Sequence, residues 1–496
     1  MPHATSTAST GLQALILCGP GSSFPTFTLN PDDNPKALLP IANRPMVWYS
    51  IDFCLRMGIS DITLICPSSA LDALSTAFKI NPFLTSLPLP RSDILAPAQL
   101  NHNMGTAEIL RLPEIKNLVT GDFVVLPCDL VCELAGDKLL QAWMVKSASY
   151  TGLLGAKTLG NVSHTRQSGC LGVWYSTKQK SAVKGEETDF IAVAPLACPA
   201  RALPKASVLS GVAKMYTAHR DAHIYIFPRW ILDFVAKNER LESIGEDVVG
   251  CNTMHDSNIS TPESTHSPGI LSHFSPRGQE LLQAATVENL RAQGMVAKSD
   301  QVEVPPVMAY IHANDTKAAT PLIRRVDTAH LLLAVSLQIA KLPSVEEVGV
   351  ESASPFAHAR KVAYPEGVKS RTTITKQDSL IGDNVTVEER TSIKESVVGA
   401  GCQIQQGAKL SQCLLMEGVV VGKNCKLTKC ILGKRCVIGD NSVLTDCEVQ
   451  ENLLVEAQTE DKDNKLMSSE GLEATDADIE EMMQDLDDEA TAEQDE

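Results

Sequence analysis

The sequence predicts an α/β domain with a mainly parallel sheet, then a parallel β-helix, then an acidic tail. Three observations predict this. Short apolar runs alternate with helix-like segments from residue 12 to about 250. Aliphatic residues recur with a 17-residue period from Ile381 onward. Beyond Glu456 the composition turns strongly acidic.

The chain has 496 residues, too many for one compact core, so two or three domains are expected. Apolar residues make up 44% and charged residues 21%, ordinary values for a globular protein. Aromatic content is only 4%, which argues against a surface for stacking bases. The net charge of −17 is concentrated at one end: residues 456–496 hold 17 Asp and Glu against Lys462 and Lys465. The rest of the chain is nearly neutral and offers no polyanion-binding surface by net charge. The start "MPHATSTASTGLQ" lacks a basic segment ahead of its apolar run, and no stretch of 18 apolar residues occurs. Neither a secretory signal nor a membrane span is therefore expected. Fourteen cysteines without a CxxC pair suggest reduced thiols in a cytosolic protein. In that compartment "NVS" at Asn161 is a chance glycosylation match.

In the first domain "LQALILC", "DITLICP" and "DFVVLPCDL" are short apolar strands. Between the first two, "RPMVWYSIDFCLRMG" places Met46, Val47, Tyr49, Phe53, Cys54 and Met57 on one helical face, with Gly58 as the stop. Strand, helix, strand in this order implies a right-handed crossover and parallel pairing. The stretch "LILCGPGSSFPTFT" runs a strand into a tight glycine turn, as many nucleotide-binding domains begin. Residues 250–280 are rich in Ser, Thr, His and Pro and read as a disordered insertion. Order returns with "VMAYIHANDTKAATPLIRRVDTAHLLLAVSLQIAKL", a strand and then a helix bearing Leu332, Leu333, Val335, Leu337 and Ile339. The first domain is expected over 12–350, with a linker over 351–372.

The repeat runs through Ile381, Val387, Ile393; Val398, Ile404, Leu410; Leu415, Val421, Leu427; and Leu432, Ile438, Leu444. Each triplet steps by six and six, then by five. Three short strands per turn of a triangular prism explain this, with each aliphatic side chain pointing inward. Stacked turns would lie about 4.8 Å apart and share backbone hydrogen bonds. Gly382, Gly399, Gly422, Gly433 and Gly439 are expected at the corners. Cys413, Cys430 and Cys447 keep the same spacing and should form one column of small, reduced side chains rather than a metal site. The β-helix is expected over 373–455, and a disordered acidic tail over 456–496.

An α/β domain joined to a hexapeptide β-helix resembles the sugar-nucleotide pyrophosphorylase family. That family opens with a glycine-rich turn of the type GGxGTRL, followed by a PKPLLP motif. A GTA helix start and a strand ending in a magnesium-binding Asp come next. Here "NPKALLPIANRPM" matches the second signature, "NMGTAEILR" the third, and "VVLPCDL" ends in Asp129. The resemblance implies a Rossmann-like nucleotidyltransferase domain of GT-A type and a left-handed β-helix. It places an ancestral nucleotide pocket at Gly19, Gly21, Lys36, Gly105 and Asp129.

The chain departs from the active family where charge is handled. The turn arginine falls on Ser23 or Phe24, Pro20 removes one N–H donor, and no EKP segment follows. Losing one charge-stabilising donor typically costs about 3 kcal/mol of transition-state stabilisation. The narrower resemblance is to the gamma subunits of eukaryotic translation initiation factor 2B. It rests on "LQALILCGPGS", "KALLPIANRPMVWYSIDFCLRMGISDITLI" and "IYIFPRWILDFVAKNERLESIGEDVV" together with the repeat. It implies a pseudo-nucleotidyltransferase without catalytic residues, metal or cofactor. Its expected partners are the epsilon and other subunits of that factor, with initiation factor 2 as substrate, and neither nucleic acid nor membrane. Two alternatives stay open: an active mannose-1-phosphate guanylyltransferase, and its catalytically dead nucleotide-sensing relative. An acyltransferase is disfavoured, because the four coils hold no histidine.

Overall fold

A computed structural model describes residues 10–88, 92–101, 103–155, 170–177, 183, 186–193, 214–249, 307–312 and 321–468. The expected insertion at 250–280, and the tail from residue 469, lie outside the described residues. The chain divides into two compact units, Met1–Lys361 and Val362–Glu496.

The first unit is built on an eight-stranded sheet. Gln13–Leu17 pairs in parallel with Asp61–Ile65 on one side and Phe123–Pro127 on the other. Asp93–Leu95 extends the first side, and Lys214–Phe227 adds antiparallel to the second. Strands after the first therefore build outward on both of its edges. The switch point lies between Gln13–Leu17 and Phe123–Pro127, at their carboxyl ends, where open α/β sheets form their crevice. The helix Met46–Arg56 begins after Pro45 and ends before Gly58, whose φ of +74° is the left-handed stop. Leu15, Val125, Phe123, Tyr225, Phe227, Ile231 and Phe234 are among the residues that fill the core on one side of this sheet.

The expected linker over 351–372 is corrected at both of its ends. Phe356 is fully buried, with its ring 5.0 Å from that of Tyr49. Its carbonyl, and that of Ala357, accept hydrogen bonds from buried Arg44 at 3.0 and 2.8 Å. The segment is thus a strap sewn into the first unit. From Val362 the chain is already coiling, since Val362 pairs with Ile381 and Val368 with Val387.

The second unit consists of three parallel sheets of six, six and five strands. Register partners in its central coils are 17 residues apart, as in Ile393↔Leu410 and Leu410↔Leu427. Ile381, Val398, Leu415, Leu432 and Val449 form one inward column, and all are buried. The coils end later than the sequence suggests. Glu460–Lys462 and Lys465–Leu466 are strands in register with Val443–Thr445 and Glu448–Val449, so 456–466 is folded and not tail.

The corners also differ from expectation. Left-handed residues form columns 17 apart: Asn384, Gly401, Gly418, Arg435, Asn452; Arg390, Gly407, Asn424, Asn441, Gln458; and Glu395, Gln412, Lys429, Asp446, Asp463. Their φ values run from +44° to +78°. Gly433 lies two residues before such a corner and serves another need. A Cβ there would sit 2.6 Å from the Glu451 nitrogen of the next coil, so it permits close stacking rather than the bend.

Candidate functional site

The site is assembled at the switch point. Leu17 and Pro127 are register partners, and the Cys128 N–H donates to the Leu17 carbonyl at 3.1 Å. Cys18, Cys66 and Cys128 follow the ends of three neighbouring strands, and all three are buried and reduced. The Cys18 thiol hydrogen-bonds to Cys128, which lowers the Cys128 thiol and raises that of Cys18.

The turn after the first strand closes on itself. Gly21 has φ +91°, and Phe24 N–H returns to its carbonyl at 2.8 Å. The Thr28 hydroxyl lies 2.8 Å from the Gly21 carbonyl and 2.9 Å from that of Phe24. Phe24 and Phe27 are buried beneath the turn, whereas Gly19, Ser22 and Ser23 are exposed. Neither position at which an arginine would be expected carries charge: Ser23 is exposed and Phe24 packs its ring inward.

Lys36 follows Pro35 in a short 3₁₀ turn, Lys36–Leu38, and its Nζ lies over the Phe24 ring at 5.7 Å. The same Nζ is 2.7 Å from Asp129 Oδ2, with side-chain exposures of 12% and 3%. Burial alone would lower the lysine and raise the aspartate. The pairing outweighs it: the Lys36 ammonium is held above its ordinary value, and Asp129 falls to about 2. The pair is therefore ionised and buried.

Nor is the pair alone. Arg325 Nε lies 3.7 Å from Asp129 Oδ1, and Arg325 Nη2 lies 3.6 Å from Asp327 Oδ2. Arg220 grips Asp327 with both terminal nitrogens, at 3.2 and 2.5 Å. Arg325 Nη1 is 3.0 Å from His223 Nε2. Burial, reinforced by Arg325, lowers His223 to about 3, so the ring is neutral. Burial raises Asp221 to about 7, although it accepts from Tyr225 OH and from the His223 N–H.

Of the residues anticipated for the pocket, Lys36 and Asp129 meet directly, with the Gly19–Gly21 turn joined to them through Phe24. Gly105 is placed otherwise. It precedes the helix Thr106–Arg111, its N–H donates to Glu108 at 2.8 Å, and a Cβ there would lie 2.2 Å from the Glu242 carbonyl oxygen. Gly105 thus lets the 241–249 segment close over the helix start. Sequence reasoning missed Arg325, Asp327, Arg220 and His223. The signal available was "IRRVD", two arginines and an acid at a strand end.

Magnesium requires carboxylate oxygens free to approach at about 2.0–2.1 Å in octahedral geometry. Here an ammonium faces one oxygen of Asp129 and a guanidinium the other. These residues do not fit that ion. Among the described residues, no three His, Cys, Asp or Glu converge as a metal site, and no helix is long and apolar enough to cross a membrane.

The family model described as the EIF2B subunit epsilon LbH domain matches residues 362–461, most of the coiled span that runs on to Leu466. Translation initiation factor eIF2B subunit gamma of Schizosaccharomyces pombe is 26% identical over 245 residues, covering 48% of this chain and 50% of that protein. The chain is similar to eIF2B subunit gamma. It is also similar to eIF2B subunit epsilon of the same organism, 27% identical over 131 residues, 26% of this chain and 18% of the relative. The matches thus span half of the gamma relative's length and a smaller part of epsilon's.

Proposed function

We propose that this chain is a non-catalytic, gamma-type subunit of an eIF2B-like complex in the cytosol. In this reading it pairs with an epsilon-type subunit and helps hold initiation factor 2 while GDP exchanges for GTP. The observation that carries the reading is the closed turn. Phe24 and Thr28 fill and tie a loop that, in an active pyrophosphorylase, must present N–H groups and an arginine to phosphates. Similarity to the gamma and epsilon chains supplies the context. Exchange needs surfaces that bind the nucleotide-free partner more tightly than the GDP-bound one, and a subunit without transfer chemistry can provide part of that difference.

A tagged full-length chain recovered from its native cell tests this. Stoichiometric recovery of an epsilon-type subunit, together with initiation factor 2, is expected. Omitting the chain from the reconstituted complex should slow GDP release from factor 2. Recovery of the chain alone, or pyrophosphate release when it is given GTP and mannose 1-phosphate, would count against the reading.

A further inference from the structure

We propose that Arg325, set between the carboxylates of Asp129 and Asp327, is a built-in cation that keeps divalent metal out of the switch-point crevice. The inference rests on the non-catalytic reading and gives it a residue. Both oxygens of Asp129 face a cation, Lys36 Nζ at 2.7 Å and Arg325 Nε at 3.7 Å. Asp327 is engaged by Arg220 and Arg325 together. A divalent ion would have to displace the half-buried Arg325 side chain and then sit beside two more positive groups, Lys36 and Arg220.

The geometry further assigns the exclusion to Arg325 rather than to Lys36. Asp129 Oδ1 and Arg325 Nε are buried, and neither has a hydrogen-bond partner. At 3.7 Å they attract as charges without an aligned N–H···O bond. Arg325 Nη1 and Nη2 are meanwhile drawn to His223 and Asp327. Arg325 thus balances two acids by position, as a bridging metal would, while Lys36 serves Asp129 alone. His223 is neutral beside it and adds no charge. Removing the guanidinium leaves the buried carboxylate of Asp129 and the half-buried one of Asp327 with one fewer counter-charge, the donor chemistry that hard divalent ions accept.

The experiment is Mn²⁺ binding to the full chain, followed by electron paramagnetic resonance of free ion and by calorimetry. Wild type should show no Mn²⁺ site that Asp129→Asn removes. Arg325→Met should gain one Mn²⁺ per chain, with at least a tenfold rise in affinity, and Asp129→Asn in that background should abolish it. Arg325→Gln serves as the second variant, with circular dichroism confirming the fold of each. A wild-type site of unit stoichiometry lost on Asp129→Asn would overturn the proposal, as would folded Arg325→Met and Arg325→Gln proteins that bind no Mn²⁺. Should metal exclusion fail while the chain still releases no pyrophosphate and still co-purifies with its partners, the functional reading stands and only the role of Arg325 falls. Pyrophosphate release from the wild type would sink the functional reading by itself.

Discussion

At the scale of single residues, the decisive quantity is charge held out of water. Asp129 lies buried between Lys36 and Arg325, so Asp129→Ala strands Lys36 and leaves Arg325 with Asp327 alone. Breaking a buried pair from one side costs about 3–5 kcal/mol, and urea unfolding should show a loss of that size. Asp129→Asn should lose less, because the amide fills the space and offers a carbonyl. Because Asp129 is lowered to about 2, its stabilising effect is complete above its unfolded value and is lost as pH falls from about 4 towards 2. Asp221 and His223 act higher and oppose each other. Asp221, raised to about 7, keeps a proton in the folded state that the unfolded chain releases, so its part of the stability declines as pH rises from about 4 to 7. His223, lowered to about 3, does the reverse up to about pH 6.5. Asp221→Asn should therefore steepen the rise of stability with pH between 4 and 6.5, and His223→Gln should flatten it. Each change amounts to up to about 1.4 kcal/mol per pH unit, measured by unfolding in a pH series. Parallel curves for all three proteins would refute the assignment.

At the scale of elements, the β-helix shows what a sequence can and cannot disclose. Its middle was legible because the lead residue of every hexapeptide is aliphatic and every register step is 17. Its first coil was not, because Val362↔Ile381, Val368↔Val387 and Ile374↔Ile393 are 19 apart: two extra residues between Ile374 and Ile381 break the period. Its last coil escaped because Asp461 occupies the register position below Leu444, where a search for aliphatic residues stops. The glycines were visible, but their purpose was not, since spacing cannot separate a bend from a close approach. Gly433→Ala tests the difference. Backbone of the next coil lies at 2.6 Å and cannot give way, so about 1–3 kcal/mol should be lost. Gly19→Ala, with nothing within 4 Å of its Cβ, should stay within about 0.5 kcal/mol of wild type. In the candidate site, Lys36 and Asp129 were legible as motif positions. Arg325 and Asp327 were not, because only the folded sheet brings the strand Ile323–Arg325 alongside Leu130–Cys132.

At the scale of the molecule, two units with separate cores are expected to unfold in separate steps. Scanning calorimetry should resolve two transitions, with Gly433→Ala lowering one and Asp129→Ala the other; a single transition moved by both variants would contradict this. The coiled unit carries one further consequence. A stack of identical parallel rungs has no built-in end, and an uncovered last rung would offer unpaired N–H and C=O groups to any similar strand. At the third inner place of the last described rung stands Asp461, only partly covered, its carboxylate accepting from the Lys462 N–H and Asn464 Nδ2, where each earlier rung has an aliphatic side chain. A further rung stacked there would have to dry a carboxylate, a cost that the aliphatic third place of each earlier rung does not impose.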